Sequence, residues 1–215
     1  HPNGEGQRLR LKVLGKIFEV DFPLIGDFQA TNALCALAMV IADGAEPETA
    51  AEGLKMLAPV TGRMQLAVRR ANGAAVIVDY AHTPDALESL LETLHPHIEG
   101  RLCVAFGCGG DRDPGKRKEM GAIAARLADR VIVTDDNPRT EDAGQIRAAI
   151  LAAAPGAVEI GGREVAIFEA VRDLATGDIL VIAGKGHETH QIIGRKTLPF
   201  DDVDVARRAV AEADA

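Results

Sequence analysis

Leu102 to Leu127 read LCVAFGCGGDRDPGKRKEMGAIAARL, and this stretch decides the fold. Its first five residues, Leu102 to Phe106, are apolar and predict a strand that is buried on both faces. A glycine loop follows, and then a helix through Met120 to Leu127. A buried strand, a tight loop and a helix in succession are the repeating unit of a parallel sheet.

The same alternation continues on both sides of that unit. Short apolar runs predict strands at 75–80, 131–134 and 179–183, and a weaker strand at 157–160. Helices are predicted to begin at Thr83-Pro84-Asp85, near Thr140 with its hydroxyl as a cap, at Glu164 and at Val203. The predicted fold class is α/β, Rossmann-like, with a mostly parallel, doubly wound sheet.

The first 60 or so residues differ from the rest. Arg8 to Asp21 alternates and predicts a hairpin that turns at Gly15. One helix is predicted from Asn32 to about Gly44 and a second from Pro47 towards Leu57. Because this is too little for an independent core, we expect 1–64 to be the remainder of a larger domain and 65–215 to form the second domain. The chain begins without Met, so we also expect preceding sequence to be absent.

Composition narrows the possible functions. The chain of 215 residues has 24 basic and 32 acidic residues, a net charge of -8, and no basic stripe of the kind that nucleic-acid binding requires. No apolar run is long enough to cross a bilayer, and no secretory signal is visible. The three cysteines, Cys35, Cys103 and Cys108, have no CxxC spacing and are predicted to be small buried residues in a reducing cytosol. We expect a cytoplasmic monomer.

Polar residues collect just beyond the carboxyl ends of four predicted strands. In an open α/β sheet this edge is where ligands bind, because the strand order reverses there and leaves a crevice. Four polar loops on one edge therefore predict a binding site. The four groups are Asp79-Tyr80-Ala81-His82, Gly107-Cys108-Gly109-Gly110-Asp111-Arg112-Asp113, Asp135-Asp136-Asn137-Pro138-Arg139 and Gly184-Lys185-Gly186-His187-Glu188.

Several kinds of site fit these loops poorly. The glycine loop from Gly107 lacks the third glycine of a dinucleotide fingerprint, which disfavours a nicotinamide-dependent oxidoreductase, and it is not a Walker A loop. It is either a tight turn before a helix, or a place where backbone amides and Arg112 receive a carboxylate. His187 and His190 are three residues apart rather than four, so no metal site is assigned. Asp135 and Asp136 are followed at once by Asn, Pro and Arg, which favours a ligand of mixed charge.

Together these motifs resemble the Mur ligase family, ATP-dependent amide-forming enzymes of peptidoglycan synthesis. The matching segments are GRM at 62–64, DYAHTPDAL at 79–87, FGCGGDRDPGKR at 106–117, TDDNPRTE at 134–141 and AGKGHE at 183–188. In this family Asp-Asn-Pro-Arg marks members that add meso-diaminopimelate rather than lysine to UDP-N-acetylmuramoyl-L-alanyl-D-glutamate. The resemblance covers essentially the whole chain, with 1–64 as the end of the central ATP-binding domain and 65–215 as the C-terminal domain.

The resemblance implies two sets of site residues. The diaminopimelate set is Arg112, Asp136, Asn137, Pro138, Arg139, Gly184 and Glu188. The nucleotide set is Asn32, Arg63, Asp79, Tyr80 and His82. An arginine can grip the distal carboxylate of diaminopimelate in a bidentate manner, and Glu188 can pair with its distal ammonium. Asp79 suits hydrogen bonds from ribose hydroxyls.

The resemblance also says what this chain should lack. The family binds the ATP phosphates on a Gly-Lys-Thr loop beside Mg²⁺ ligands, and neither occurs here, so no catalytic residue is assigned and the chain is expected to be inactive alone. Pro114, Thr189-His190 and Gln29 depart from the usual family residues. A lysine-adding relative and a free-standing amino-acid or nucleotide-binding module remain alternative interpretations.

Overall fold

The computed structural model describes residues 2–3, 6–24 and 26–215. The chain divides into two compact units, His1–Val60 and Thr61–Ala215. The division falls four residues before the boundary predicted at 64/65, because Gly62 to Met64 fasten onto the second unit through contacts described below. The assignment of the first segment to an ATP-binding domain stays a prediction.

The first unit is a three-stranded antiparallel sheet with two helices. Its strands are β1 (Pro2–Asn3), β2 (Gly6–Val13) and β3 (Lys16–Phe22), and its helices are α1 (Asp27–Ala42) and α2 (Pro47–Gly53). The hairpin predicted to turn at Gly15 is confirmed, because β2 pairs with β3 and both Leu14 and Gly15 have positive φ. Leu11, Phe22 and Leu37 belong to its small core.

The prediction that the first helix begins at Asn32 is wrong by five residues. The helix begins at Asp27, directly after Gly26, which has a φ of 102°. The same helix places Cys35 on the surface, which contradicts the prediction that all three thiols are buried. Cys103 and Cys108 are buried, and their burial raises the pKa of each thiol to about 11.

The second unit contains a six-stranded, mostly parallel sheet, as predicted. Its strand order is β4-β5-β9-β6-β7-β8, and only β4 among these strands runs antiparallel to its neighbour. The strands are β4 (Gln65–Arg69), β5 (Ala75–Asp79), β6 (Leu102–Phe106), β7 (Arg130–Val133), β8 (Val158–Glu159) and β9 (Ile179–Ala183). A separate hairpin joins β10 (His190–Ile193) to β11 (Lys196–Pro199).

Five helices cover this sheet. They are α3 (Pro84–Leu94), α4 (Gly115–Leu127), α5 (Ala143–Leu151), α6 (Arg163–Arg172) and α7 (Asp202–Ala213). Alternate residues of the central strands, such as Val76, Leu180 and Ile182, pack in one core cluster with α6 and α7. In α3 the leucines at 87, 90, 91 and 94 are buried, and α3 packs beside α4 and α4 beside α5. No helix in the described part of the chain has the length and apolar character needed to cross a membrane.

In the second unit the sequence analysis missed three strands and misplaced one cap. β4 and the β10–β11 hairpin were not predicted. Helix α5 begins at Ala143 and is capped by Asp142, whose side chain accepts from the Gln145 amide, rather than by Thr140. The Thr140 hydroxyl instead donates to the Asp111 carboxylate at 2.8 Å. The Pro84 helix start is confirmed, with Thr83 as its N-cap.

Candidate functional site

The four polar loops follow β5, β9, β6 and β7, in that order across the sheet. These strands are parallel, so the loops share one edge, as the sequence predicted. Chain order differs from spatial order, because β9 is inserted between β5 and β6. Hence the loop that begins at Gly184 is flanked by the loops from Tyr80 and from Gly107.

The glycine loop after β6 allows the loops on either side to approach each other. A Cβ on Gly107 would lie 2.3 Å from the Thr134 carbonyl oxygen, and one on Gly110 would lie 2.0 Å from that of Pro138. Gly184 has a φ of 118°, and a Cβ on it would lie 2.8 Å from Oδ2 of Asp136. A side chain at these positions would separate the loops, so space requires glycine at all three, and at Gly184 the positive φ requires it as well.

A hydrogen-bonded network joins the loop after β7 to the loop after β9. It consists of Asn137, Lys185 and Glu188. The Lys185 Nζ donates to Glu188 Oε2 at 2.9 Å and to Asn137 Oδ1 at 3.3 Å. Asn137 Nδ2 donates to the same Glu188 oxygen at 2.9 Å. Burial by itself raises the pKa of Glu188, but the hydrogen bonds from Lys185 and Asn137 outweigh it and lower the pKa below its ordinary value. Glu188 is therefore held as an anion.

Arg139 is held by the hairpin that the sequence did not predict. Its amide donates to the Ile192 carbonyl and its carbonyl accepts from the Gly194 amide, with a positive φ of 52° at Arg139 itself. The guanidinium Nη1 donates to the Gly110 carbonyl at 2.8 Å. The same hairpin supplies Gln191, whose Nε2 donates to the Asp136 carbonyl at 2.6 Å. The β10–β11 hairpin thus fixes the backbone of the Asp136–Arg139 loop.

Arg112 lies on the exposed part of the β6 loop. Its Nη1 donates to the carbonyl of Asp111, and the Asp111 carboxylate accepts from Thr140, the residue after Arg139. Glu141 extends this connection, because it pairs with the buried Arg117 of α4 through two bonds of 2.9 Å. These bonds join the loops that carry Arg112 and Arg139.

A buried ion pair holds the strand ends behind the loops. Arg163 and Asp202 are 1% and 0% exposed and are joined by hydrogen bonds of 2.7 and 2.8 Å. The Arg163 guanidinium also donates to the carbonyls of Asp135 and Ala183, the residues that precede the Asp136 and Gly184 loops. It therefore helps to set the relative position of these two loops.

The seven residues of the diaminopimelate set differ in what they present to solvent. Asn137 is 2% exposed, and its side chain is hydrogen-bonded within the chain. Asp136, Pro138 and Gly184 are also buried. Arg112 is exposed, and Arg139 and Glu188 are half-buried. In this predicted set, Arg112, Arg139 and Glu188 therefore expose charged side chains at least in part, and the other four residues are buried.

A second cluster lies at the β5 end of the same edge. Arg63 stacks over the Tyr80 ring, with its Cζ 4.9 Å from the ring centroid. The Tyr80 centroid lies 4.5 Å from that of His82 and 5.1 Å from that of His187. The structure thus brings three residues of the predicted nucleotide set together with His187, to which the sequence analysis assigned no role.

Asp79, a fourth member of that set, is engaged within the chain. Its two carboxylate oxygens accept from the amides of Met64 and Ala81, both at 2.7 Å. Burial raises the pKa of Asp79 above its ordinary value, although these two hydrogen bonds act to lower it. Asp79 therefore fastens the segment before β4 to the end of β5, and its contact with a ribose stays a prediction. Asn32 is exposed on α1 of the first unit.

Lys185, Gln191 and His187 are the functional candidates that sequence reasoning missed. Lys185 and His187 stand inside the Gly184–Glu188 motif, so their position in that motif was the available signal. Gln191 had none, because its role depends on the β10–β11 hairpin. Among the described residues, no group of three or more His, Cys, Asp or Glu side chains is arranged to hold a metal ion.

Comparisons with known proteins place this geometry in a family. The model for the Mur ligase, glutamate ligase domain matches residues 62–186. A curated relative from Zymomonas mobilis, named UDP-N-acetylmuramoyl-L-alanyl-D-glutamate--2,6-diaminopimelate ligase, is 54% identical over 97% of this chain and 44% of its own length. The chain therefore spans less than half of that relative.

Solved structures agree with this placement. A structure of a UDP-N-acetylmuramoyl-L-alanyl-D-glutamate--2,6-diaminopimelate ligase matches 98% of this chain and 44% of its own, with a TM-score of 0.74 and 40% identity. A Mycobacterium tuberculosis folylpolyglutamate synthase complexed with ADP and AMPPCP matches 85% of this chain and 43% of its own, with a TM-score of 0.68 and 25% identity.

Proposed function

The chain belongs to the Mur ligase family, and on that premise we propose that it is the amino-acid-binding part of a ligase that adds meso-diaminopimelate to UDP-N-acetylmuramoyl-L-alanyl-D-glutamate. The observation that carries the proposal is the shared edge on which Arg112, Arg139 and Glu188 stand. Two cationic groups and one anionic group match the carboxylate and the ammonium at the far end of diaminopimelate. The names of the similar ligases agree with this substrate.

The contribution of this chain to the reaction is to hold and orient the amine. Arg112 and Arg139 bind the distal carboxylate, Glu188 binds the distal ammonium, and the remaining amine is presented for attack on an activated carboxyl group. Orientation of this kind can supply a large part of a rate enhancement. The chemistry of activation belongs to ATP and Mg²⁺, whose main phosphate and metal sites we place outside this chain.

We further propose that Arg63, Tyr80 and His82 form part of a nucleotide-binding surface of the second unit, together with Asp79. A nucleotide contact of Asn32, in the first unit, stays a separate prediction. The Tyr80 and His82 rings, tilted at 60° to each other, and the Arg63 guanidinium over Tyr80 support this surface, because planar cationic and aromatic groups are suited to the π-face of a base. The structural neighbour with bound ADP and AMPPCP is consistent with a nucleotide in this family.

The test of the amino-acid site is ligand selectivity. We expect meso-diaminopimelate to bind the chain better than L-lysine, because lysine leaves an arginine without its carboxylate. That mismatch costs roughly 1–3 kcal/mol, or about 5- to 150-fold in Kd. Titration of the ¹⁵N-labelled chain followed by NMR measures weak affinities, and amide shifts at Gly110, Arg139 and Glu188 would locate the ligand.

Arg139→Ala should abolish this preference while leaving the fold intact, since its side chain is half-buried and bonds chiefly to one carbonyl. Arg195→Ala, at an exposed position beside the β10–β11 turn, is the matched control. Equal binding of both amino acids by the unmodified chain would refute the proposal and would favour a lysine-adding enzyme or a different binding module.

A further inference from the structure

Lys185 is a charged side chain with no exposed surface, and the proposed function gives it no task. Its ammonium group reaches three acceptors: Glu188 Oε2 at 2.9 Å, the His190 carbonyl at 2.5 Å and Asn137 Oδ1 at 3.3 Å. An ammonium group has three hydrogens, so all its donor capacity is used inside the chain. A fully buried and fully paired lysine holds its partners in fixed positions.

The bonds on Glu188 are unevenly divided between its two oxygens. Oε2 accepts from both Lys185 and Asn137, each at 2.9 Å. Within the described residues, Oε1 accepts no hydrogen bond, and the side chain keeps 26% of its surface exposed. The carboxylate is thus anchored through one oxygen and open at the other.

Asn137 cannot produce this arrangement alone. Its Oδ1 is fixed by the Ile192 amide at 2.9 Å and its Nδ2 by Glu188, so the amide group spans the distance between the β10–β11 hairpin and the carboxylate. One neutral donor would leave Glu188 free to rotate about its own bonds. The second and charged donor comes from Lys185, three residues before Glu188.

We propose that Lys185 is a positioning residue that determines specificity: it anchors Glu188 through Oε2 so that Oε1 receives the distal ammonium of the amino-acid substrate. This inference rests on the proposed function. Because the lysine adds a positive charge near the substrate's ammonium, it does not strengthen binding through charge alone. Its contribution is a carboxylate fixed in one place, which recognises an amine only at the matching position.

Three free amino acids, used as ligands, distinguish the role proposed for Lys185 from that of Arg112 and Arg139. meso-Diaminopimelate carries an amine and a carboxylate at its far end, 2-aminopimelate keeps the carboxylate without the amine, and L-lysine keeps the amine without the carboxylate. The ratio of affinities for diaminopimelate and 2-aminopimelate measures recognition of the distal amine. The ratio for diaminopimelate and lysine measures recognition of the distal carboxylate.

Lys185→Met in the 215-residue chain is expected to lower the first ratio by about tenfold and to leave the second within about threefold, because the grip of Arg112 and Arg139 is unchanged. Glu188→Gln should lower the first ratio similarly, and the double variant should add little, since the two residues act as one unit. Lys118→Met, at an exposed position on α4, is the matched control and should change neither ratio.

The outcomes separate the two proposals. If the unmodified chain prefers diaminopimelate over lysine but Lys185→Met keeps the full preference over 2-aminopimelate, the role of Lys185 is refuted and the proposed function stands. If the unmodified chain binds diaminopimelate no better than lysine, both proposals are refuted.

A measurement without mutation covers the case in which Lys185→Met does not fold. The ¹⁵Nζ resonance of Lys185 in the unmodified chain should be protected from exchange with water and should shift on addition of diaminopimelate. Addition of 2-aminopimelate should leave it nearly unchanged. A Lys185 resonance that responds equally to both ligands would overturn the inference.

Discussion

Gly109 and Gly110 are neighbours in the loop after β6, and they lack side chains for different reasons. A Cβ on Gly109 would meet the Arg139 guanidinium at 2.7 Å, which is the far end of a flexible side chain. A Cβ on Gly110 would meet the Pro138 carbonyl oxygen at 2.0 Å, which is backbone. The first glycine therefore leaves room for a functional group, and the second permits two loops to touch.

This difference predicts two separable substitutions. Gly110→Ala must move backbone and is expected to lower the free energy of unfolding by about 1–3 kcal/mol, as overpacking does. Gly109→Ala displaces only the Arg139 guanidinium, so it should cost less than about 0.5 kcal/mol in stability and yet weaken diaminopimelate binding. Urea unfolding and NMR titration measure both effects. Equal losses of stability would show that the two positions do not differ in this way.

Sequence reasoning identified the residues that we propose to contact the ligand more readily than the residues that hold them in place. Arg139 and Glu188 stand in recognisable motifs, and the structure brings their loops together. Gln191 acts through Asp136, 55 residues away, and one of the three acceptors of Lys185 is Asn137, 48 residues away. No local pattern specifies such distant bonds, which exist only once β9 has been inserted beside β6.

At the scale of elements, five of the six strands of the large sheet and the helices that cover it followed from local apolar patterns, whereas β4 and the β10–β11 hairpin did not. The hairpin of His190–Ile193 and Lys196–Pro199 contains few buried residues, so it has no strong alternation to detect. Its position depends on Arg139 and Asp136, which are remote in the sequence. The start of α5 was misplaced because Thr140 and Asp142 both suit a cap, and the choice depends on Asp111.

The α5 cap gives a direct prediction. Asp142→Ala removes the acceptor for the Gln145 amide and is expected to lower the free energy of unfolding by about 1 kcal/mol. Thr140→Val removes an exposed hydrogen bond to Asp111 and should cost less. Urea unfolding of the two variants decides the matter, and a larger loss for Thr140→Val would restore Thr140 as the residue that secures this region.

At the scale of the whole molecule, the boundary between the two units is tied to the site. Gly62 donates to the Gln65 side chain, Arg63 stacks on Tyr80, and the Met64 amide donates to Asp79. Met64 is also buried, with 5% of its surface exposed. The boundary was predicted at 64/65 because Gly62-Arg63-Met64 resembles the segment that joins the central and C-terminal domains of Mur ligases. Their contacts place them on the other side of it.

Two truncated chains test this boundary. Residues 61–215 should fold alone, because the six-stranded sheet carries its own core. Residues 65–215 should also fold but be less stable by roughly 2–4 kcal/mol, since they lose the buried Met64 side chain and one of the two amide bonds to a buried carboxylate. Urea unfolding of both chains gives the difference. Diaminopimelate affinity should be equal in the two, because its predicted ligands lie on the β6, β7 and β9 loops. Equal stability would mean that Gly62 to Met64 are a linker.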